Sequence, residues 1–258
     1  MAGWLRGHVI GNRRWTETLF SLQVEAPPLA FEAGQFVRLA LDEAQPGAEP
    51  VARPFSFVNA PGEALQEFYG VVVPGGALSP RLAALRPGDA IFLSELPSGF
   101  LVLSEVPDAP VLWLLATGTG IAPYVSMLRA GALWTRYQTV VVVHGVRHVQ
   151  DLAYRDEIGR TANAQGDRLR YVAVVSRDPA GVGPTGGFGV LLAGRIPAAI
   201  ANGQIEAAAG AKLSPSESQV LICGNPDMVQ DTADILKARG MRKHRRRAPG
   251  QITTENFW

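Results

Sequence analysis

The chain is poor in the residues that mark several whole classes of protein. It holds one cysteine, Cys223, in 258 residues. A disulfide framework and a cysteine-ligated iron–sulfur cluster within this chain are therefore excluded. Its four histidines are scattered without metal-ligand spacing, so no metal is expected. Charge of neither sign is in excess: the formal net charge is +1. No strong global field favours nucleic acid or a membrane surface. No stretch approaches roughly 20 apolar residues free of charges and breakers, so no membrane span is expected. The opening "MAGWLRGHVIGNRRW" lacks the long apolar core of a signal peptide. No internal repeat is found. A soluble, cytoplasmic protein is the expectation. What the chain does have is 47% hydrophobic residues, enough for one large or two medium domains.

Those residues follow two rhythms. Up to about residue 105 short segments alternate. "TLFSLQV" puts Phe20, Leu22 and Val24 on one face, and "QFVRLAL" does the same with Val37, Leu39 and Leu41. "PFSFV", "EFYGVVV" and "DAIFLSE" follow between Pro/Gly turns such as "RPGD". Regularly spaced short strands predict a small antiparallel barrel or sandwich. One helix interrupts them at "LSPRLAAL", with Ser79 as N-cap and Pro80 in the first helical position. From about 107 the apolar runs become continuous: "VLWLLA", "TVVVVHG", "RYVAVVS" and "QVLICG". Such runs suit strands buried on both faces. Helical segments are expected at 121–131, 151–160 and 226–239, which makes a βαβ pattern and a doubly wound parallel sheet. "EVPDAP", 105–110, reads as a linker, and "RDPAGVGPTGGFG", 177–189, as a mobile loop.

"ATGTGIAP" follows the first of the apolar runs. It is either a plain strand-to-helix turn or a place where Gly118 and Gly120 let a ligand approach the backbone. The helix that follows would turn free N–H groups and its positive dipole end towards a phosphate. "ARPFSF", 52–57, is likewise either an ordinary strand or a flavin site. In the second case Arg53 pairs with a pyrophosphate, Phe55 lies flat on the isoalloxazine and Ser56 hydrogen-bonds near flavin N5. Ser79 and the helix start beside it offer a second anion site.

"RPFS", "GGALSPRLAAL", "ATGTGIAP", "VHGVRHVQDLAYRDEI", "VVSR", "GRIP", "CGNPDMV" and the terminal "PGQITTENFW" occur in this order. The ordered set resembles the bacterial ferredoxin/flavodoxin–NADP⁺ reductases, over nearly the whole chain. Each motif alone is weak. The resemblance implies an N-terminal FAD-binding Greek-key β-barrel, residues 1–106, and a C-terminal NADP(H)-binding α/β domain, residues 107–258, whose tail covers FAD. Arg53, Phe55 and Ser56 match the flavin-clamping motif. The family usually has Tyr where this chain has Phe55, which keeps the stacking and loses a hydroxyl. Val71, Val73, Leu78 and Ser79 match the segment under the isoalloxazine and around the FAD phosphates. Thr117, Gly118, Thr119 and Gly120 match the nucleotide pyrophosphate turn.

A carboxylate at the end of the second parallel strand would bind a ribose diol and repel a 2′-phosphate. Here Arg147, Arg177 and Arg195 stand at or near strand ends, and the family uses arginines at these positions. They favour NADP(H). Cys223 resembles the small residue beside the nicotinamide, though a core cysteine is common. Glu255 is carried over as a residue that orients the nicotinamide or relays a proton. With Ser56, these two form the expected catalytic set. Phe257 and Trp258 are expected to pack on the isoalloxazine or the adenine. The run "MRKHRRR", 241–247, holds Arg245 and Arg246. It reads as a basic rim for an acidic ferredoxin or flavodoxin, or as a solvated face.

The implied activity is electron exchange between NADP(H) and a one-electron carrier protein through FAD. Two rivals stand beside it. One is a reductase serving an oxygenase or reducing free flavins. The other is a regulatory or electron-transfer subunit that binds both cofactors without independent turnover.

Overall fold

The computed structural model describes residues 3–41, 51–178, 183–184 and 189–256. The alternating part of the sequence forms β1 (Trp4–Arg14), β2 (Leu19–Glu25), β3 (Phe36–Ala40), β4 (Arg53–Ser56), β5 (Gln66–Val71) and β6 (Ala90–Ser94). These pair antiparallel in the order β4-β3-β6-β1-β2-β5. A bridge between Phe57 and Phe68 joins the two ends of that order and curls the sheet into a barrel. Phe20, Leu22 and Val24 fill its interior with Val37, Leu39, Ile91 and Leu93, as the alternation requires. Leu19 and Ser21, on the opposite face of β2, are buried too. That face is covered by the second half of the chain.

Helix α1 (Ser79–Ala84) corrects the expected cap. Leu78 is the N-cap residue, Ser79 is the first helical residue and Pro80 the second. The Ser79 hydroxyl turns back to accept the N–H of Val73 at 2.9 Å. It braces the 73–79 turn instead of capping the helix.

The continuous apolar runs become β7 (Val111–Thr117), β8 (Thr139–Val146), β9 (Leu169–Val175), β10 (Gly183–Pro184), β11 (Val190–Ala193), β12 (Ser218–Gly224) and β13 (Ile252–Asn256). The sheet order is β10-β11-β9-β8-β7-β12-β13, parallel except for the short β10. Both faces are buried. Leu112, Leu114, Val140 and Val142 belong to one core, and Trp113, Leu115, Val141 and Val143 to the other. Helices α2 (Ala122–Ala130), α3 (Leu133–Arg136), α4 (Arg155–Gln165), α5 (Ile196–Ala201), α6 (Gln204–Ala209) and α7 (Pro226–Ala238) cover these faces. From β7 the chain winds outward through β8, β9 and β11, then returns to place β12 on the other side of β7. The crevice between the C-terminal ends of β7 and β12 is thus the topological switch point, where open α/β sheets bind ligands.

Two expectations change here, and one strand carries no signal in the sequence. The helix expected at 151–160 begins at Arg155 and runs to Gln165, because a 3₁₀ turn at Val149–Asp151 and the left-handed Tyr154 (φ 60°) precede it. The segment before the tail is a strand, β13, paired with β12. Within 177–189, Gly183 and Pro184 pair with Leu191 and Val190. Residues 179–182 and 185–188, where the mobile loop is expected, lie outside the described residues. The 105–110 linker is tied down by Arg136, which donates to the Asp108 carboxylate and to the carbonyls of Leu103 and Val106.

Candidate functional site

Two cavities meet where the barrel and the parallel sheet touch. The first, about 540 Å³, opens over the C-terminal ends of β7, β8, β9 and β12. Thr117, Gly118 and Thr119 form one wall, and Arg147, Arg177 and Arg195 line it from three successive loops. None of the three guanidinium groups has an ion-pair partner among the described residues, and all three residues are exposed. Gly118 has φ +53° and open space where a side chain would stand. Gly120 corrects the expectation for this turn. It does not line the cavity, and a Cβ there would meet the carbonyl oxygen of Cys223 at 2.5 Å. Its missing side chain serves close packing of turn on strand, whereas that of Gly118 leaves the cavity open. The Thr117 hydroxyl is engaged, accepting the N–H of Asn225 at 2.9 Å. It ties β7 to the start of α7, where the Asn225 side chain caps Asp227 and Met228.

Several residues of this cavity carried no signal in the sequence. Thr18 and Leu19 reach it from the barrel. Asp227 and Asp231 stand one turn apart on α7, and Asp151 closes the 3₁₀ turn after β8. Acidic residues four apart on a helix are ordinary surface patterning, so nothing in their spacing sets them apart.

The second cavity, about 500 Å³, lies against the barrel. Arg53, Phe55 and Ser56 come from β4, Val71 from β5, and Val73, Leu78 and Ser79 from the turn into α1. The expected residues are thus brought together. Tyr69 and Gly70 join them, and Thr119 and Ala122 close the cavity from the other half. The Ser56 hydroxyl is buried without a hydrogen-bond partner among the described residues, and so is the Tyr69 hydroxyl. Burial, with Asp151 nearby, holds the Tyr69 phenol well above its ordinary range. Buried polar groups are normally paired, so two unpaired hydroxyls in one cavity mark a place for a polar ligand edge. Gly70 is required here for space: a Cβ would stand 2.7 Å from the Phe20 ring and 2.9 Å from the Phe55 ring. Arg53 donates to its neighbour's carbonyl, Ala52, at 2.8 Å and otherwise faces outward. A flat ring, two orphaned hydroxyls and an outward guanidinium fit a flavin dinucleotide. Val71 and Thr119 line both cavities.

Cys223 and Glu255 stand opposite each other on β12 and β13. Neither lines either of these two cavities. Cys223 is wholly enclosed, and burial, then the Glu255 charge, pushes its thiol up. Burial pushes the Glu255 carboxyl up to about 7, against the lowering pull of the Phe100 backbone, and its Oε2 has no hydrogen-bond partner among the described residues. Phe257 and Trp258 lie outside the described residues. In the basic run, Arg245 is exposed, while Arg246 is spent on Glu105 at 2.6 Å and lies over the Phe100 ring at 4.9 Å. The rim is less positive than the bare sequence suggests. Among the described residues no group of His, Cys, Asp and Glu could hold a metal ion, and no helix is long and apolar enough to cross a membrane.

Comparison with known proteins agrees with this geometry. Residues 114–234 match the oxidoreductase NAD-binding domain family. The flavodoxin/ferredoxin–NADP reductase of Shigella flexneri is 45% identical over 259 residues, covering all of both chains. The ferredoxin–NADP reductase of Pseudomonas aeruginosa is 32% identical over 91% of this chain and 89% of its own. The crystal structure of a ferredoxin NADP⁺ reductase from Neisseria gonorrhoeae, with bound FAD and NADP, superposes with a TM-score of 0.90 at 33% identity, covering all of both chains. With a relative this similar along its full length, the chain belongs to the flavodoxin/ferredoxin–NADP reductase family.

Proposed function

We propose that this protein exchanges electrons between NADP(H) and a one-electron carrier, a ferredoxin or flavodoxin, with FAD in the barrel cavity and NADP(H) in the cavity over the parallel sheet. The observation that carries this reading is the shared wall: Val71 and Thr119 border both cavities, so two ligands would meet there. Bound together, the nicotinamide would deliver a hydride to FAD, which can release electrons one at a time.

The chain's own part is binding, orientation and exclusion of water. Residues 1–106 form the flavin half and 107–258 the nucleotide half. Phe55 supports the ring, Ser56 gives its unpaired hydroxyl to the ring edge, and Arg53 faces the pyrophosphate. Val71, Val73 and Leu78 keep water from the ring, and the turn braced by Ser79 holds the phosphates. Gly118 with Thr119 admits the nucleotide pyrophosphate, while Arg147, Arg177 and Arg195 select the 2′-phosphate. Cys223 keeps its proton at neutral pH and so lays no charge beside the nicotinamide. Glu255 holds or gives up a proton on Oε2 near pH 7. Phe257 and Trp258 cover the flavin, and Arg245 guides the acidic carrier while Arg246 beside it offsets the Glu105 charge.

The test is direct. Purified protein should release FAD on acid precipitation. It should reduce ferredoxin or flavodoxin faster with NADPH than with NADH. Release of FMN, or retention of FAD without any NADPH-dependent turnover, would refute the proposal.

A further inference from the structure

Tyr154 is the one non-glycine residue with positive φ among the described residues. A bulky side chain rarely adopts that conformation, and strain of this kind persists only where the surroundings over-determine it. Here the surroundings belong to the barrel. The Tyr154 ring packs on Trp15 at 4.7 Å and edge-on to Tyr69 at 5.3 Å. Its hydroxyl donates to Glu67 Oε1 at 2.8 Å. Having given its only proton there, it must accept from Ser21 Oγ at 2.5 Å, and Ser21 accepts from Trp15 Nε1 at 2.8 Å. The hydrogen bonds therefore run one way, from the indole to the carboxylate, and each polarises the next.

Glu67 is also the barrel's tie to α2. Arg129 Nη1 donates to its Oε2 at 2.7 Å, and the same guanidinium grips Glu157 of α4 through Nε and Nη2. Helix α2 follows directly on the Gly118–Ile121 turn, and Tyr154 leads into α4 shortly after the loop that carries Arg147. Both nucleotide-binding loops thus run into elements tethered to a single carboxylate of the barrel. On its other side the same aromatic cluster reaches the flavin cavity through Tyr69.

We infer that Tyr154 is a positioning residue: through its hydrogen bond to Glu67 it fixes the parallel sheet against the barrel, and with it the overlap of the two cofactor cavities. The inference rests on the proposed function. Its test is Tyr154→Phe in the FAD-loaded protein, which keeps the ring and removes the hydroxyl. Titration with NADP⁺ and NADPH is followed by the long-wavelength absorption that reports nicotinamide stacked on flavin. That absorption should weaken. The kcat for NADPH-driven ferricyanide reduction should fall about tenfold with KM changed less than about twofold, because a misplacement below 1 Å costs rate more than binding. FAD content should stay as in the parent. An unaltered absorption, or a fall in kcat without a change in absorption, would overturn the inference. If Tyr154→Phe fails to fold, Glu67→Leu removes the acceptor of the Tyr154 hydroxyl and leaves the Tyr154 ring in place, with Arg129→Gln as the control that breaks the Arg129 ion pairs and keeps the Tyr154–Glu67 hydrogen bond, and the same readings decide. A parent protein that shows no such absorption with either nucleotide would bring down the functional reading itself, and this inference with it.

Discussion

The backbone N–H of Arg177 donates to the carbonyl of Arg147 at 2.9 Å. The two arginines therefore leave adjacent strand ends side by side, above one cavity. A second clasp holds these loops together: the Asp178 carboxylate takes the His148 ring at 2.9 Å and the Val149 N–H at 2.7 Å. Arg177→Ala should lower kcat/KM for NADPH by roughly 10- to 100-fold, since a hydrogen bond to a charged group contributes about 1.5–3 kcal/mol. NADH lacks the 2′-phosphate and should hardly respond. Steady-state kinetics with both nucleotides check this. Equal losses would mean that Arg177 touches a shared part of the nucleotide or holds the loop.

Gly70→Ala tests the flavin cavity without removing any polar group. The new methyl meets two aromatic rings below 3.0 Å, so Phe55 must move off its place in the wall. The retained FAD after desalting, read as the ratio of visible to ultraviolet absorbance, should fall well below that of the parent. Overpacking typically costs about 1–3 kcal/mol, so melting should also move down by several degrees. A variant with full flavin content would mean that Phe55 does not support the ring.

Much of this is legible in the sequence alone. Continuous apolar runs such as "TVVVVHG" mean two buried faces, and a βαβ rhythm admits few topologies. Arg147, Arg177 and Arg195 lie far apart in sequence, yet the parallel sheet delivers all three loops to one edge. What escaped depends on contacts between the halves. Leu19 and Ser21 are buried because Tyr154 and its neighbours cover them, more than 130 residues away. No local pattern records that. Gly120 resembles its neighbour Gly118, and only the approach of Cys223 separates their roles. Strand β13 has a single large apolar residue, Ile252, and its pairing with β12 is a property of the finished sheet.

Glu255 gives a pH prediction with a definite sign. Its carboxyl rises from an ordinary 4.5 to about 7 in the folded protein. Between those values the folded state keeps a proton that the unfolded chain releases, so this group makes stability fall as pH rises. Above about 7 its penalty is complete. Glu255→Gln should remove the slope. Thermal melts from pH 5 to pH 8 should show the parent losing more stability than the variant, with the variant the more stable at pH 8. Parallel curves would show that Glu255 titrates normally.

The ion pair between Arg246 and Glu105 divides the basic run into unequal parts. Arg246 lies within 2.6 Å of a carboxylate, whose protonation it opposes. To a distant acidic carrier the pair is close to neutral, whereas Arg245 has no ion-pair partner among the described residues and is exposed. If the run steers the carrier, Arg245→Glu should slow reduction of ferredoxin or flavodoxin most at low salt. The effect should fade as the screening length shrinks from about 10 Å at 0.1 M to about 3 Å at 1 M. Arg246→Gln frees the Glu105 charge and should slow the same reaction in the same salt-dependent way, though it changes the charge by one unit instead of two. Reduction of a neutral quinone supplies the control, because it feels no such field. Carrier kinetics in Arg245→Glu that match the parent at every ionic strength would leave the run as a solvated face, and the carrier's landing site would have to be sought elsewhere around the cavities.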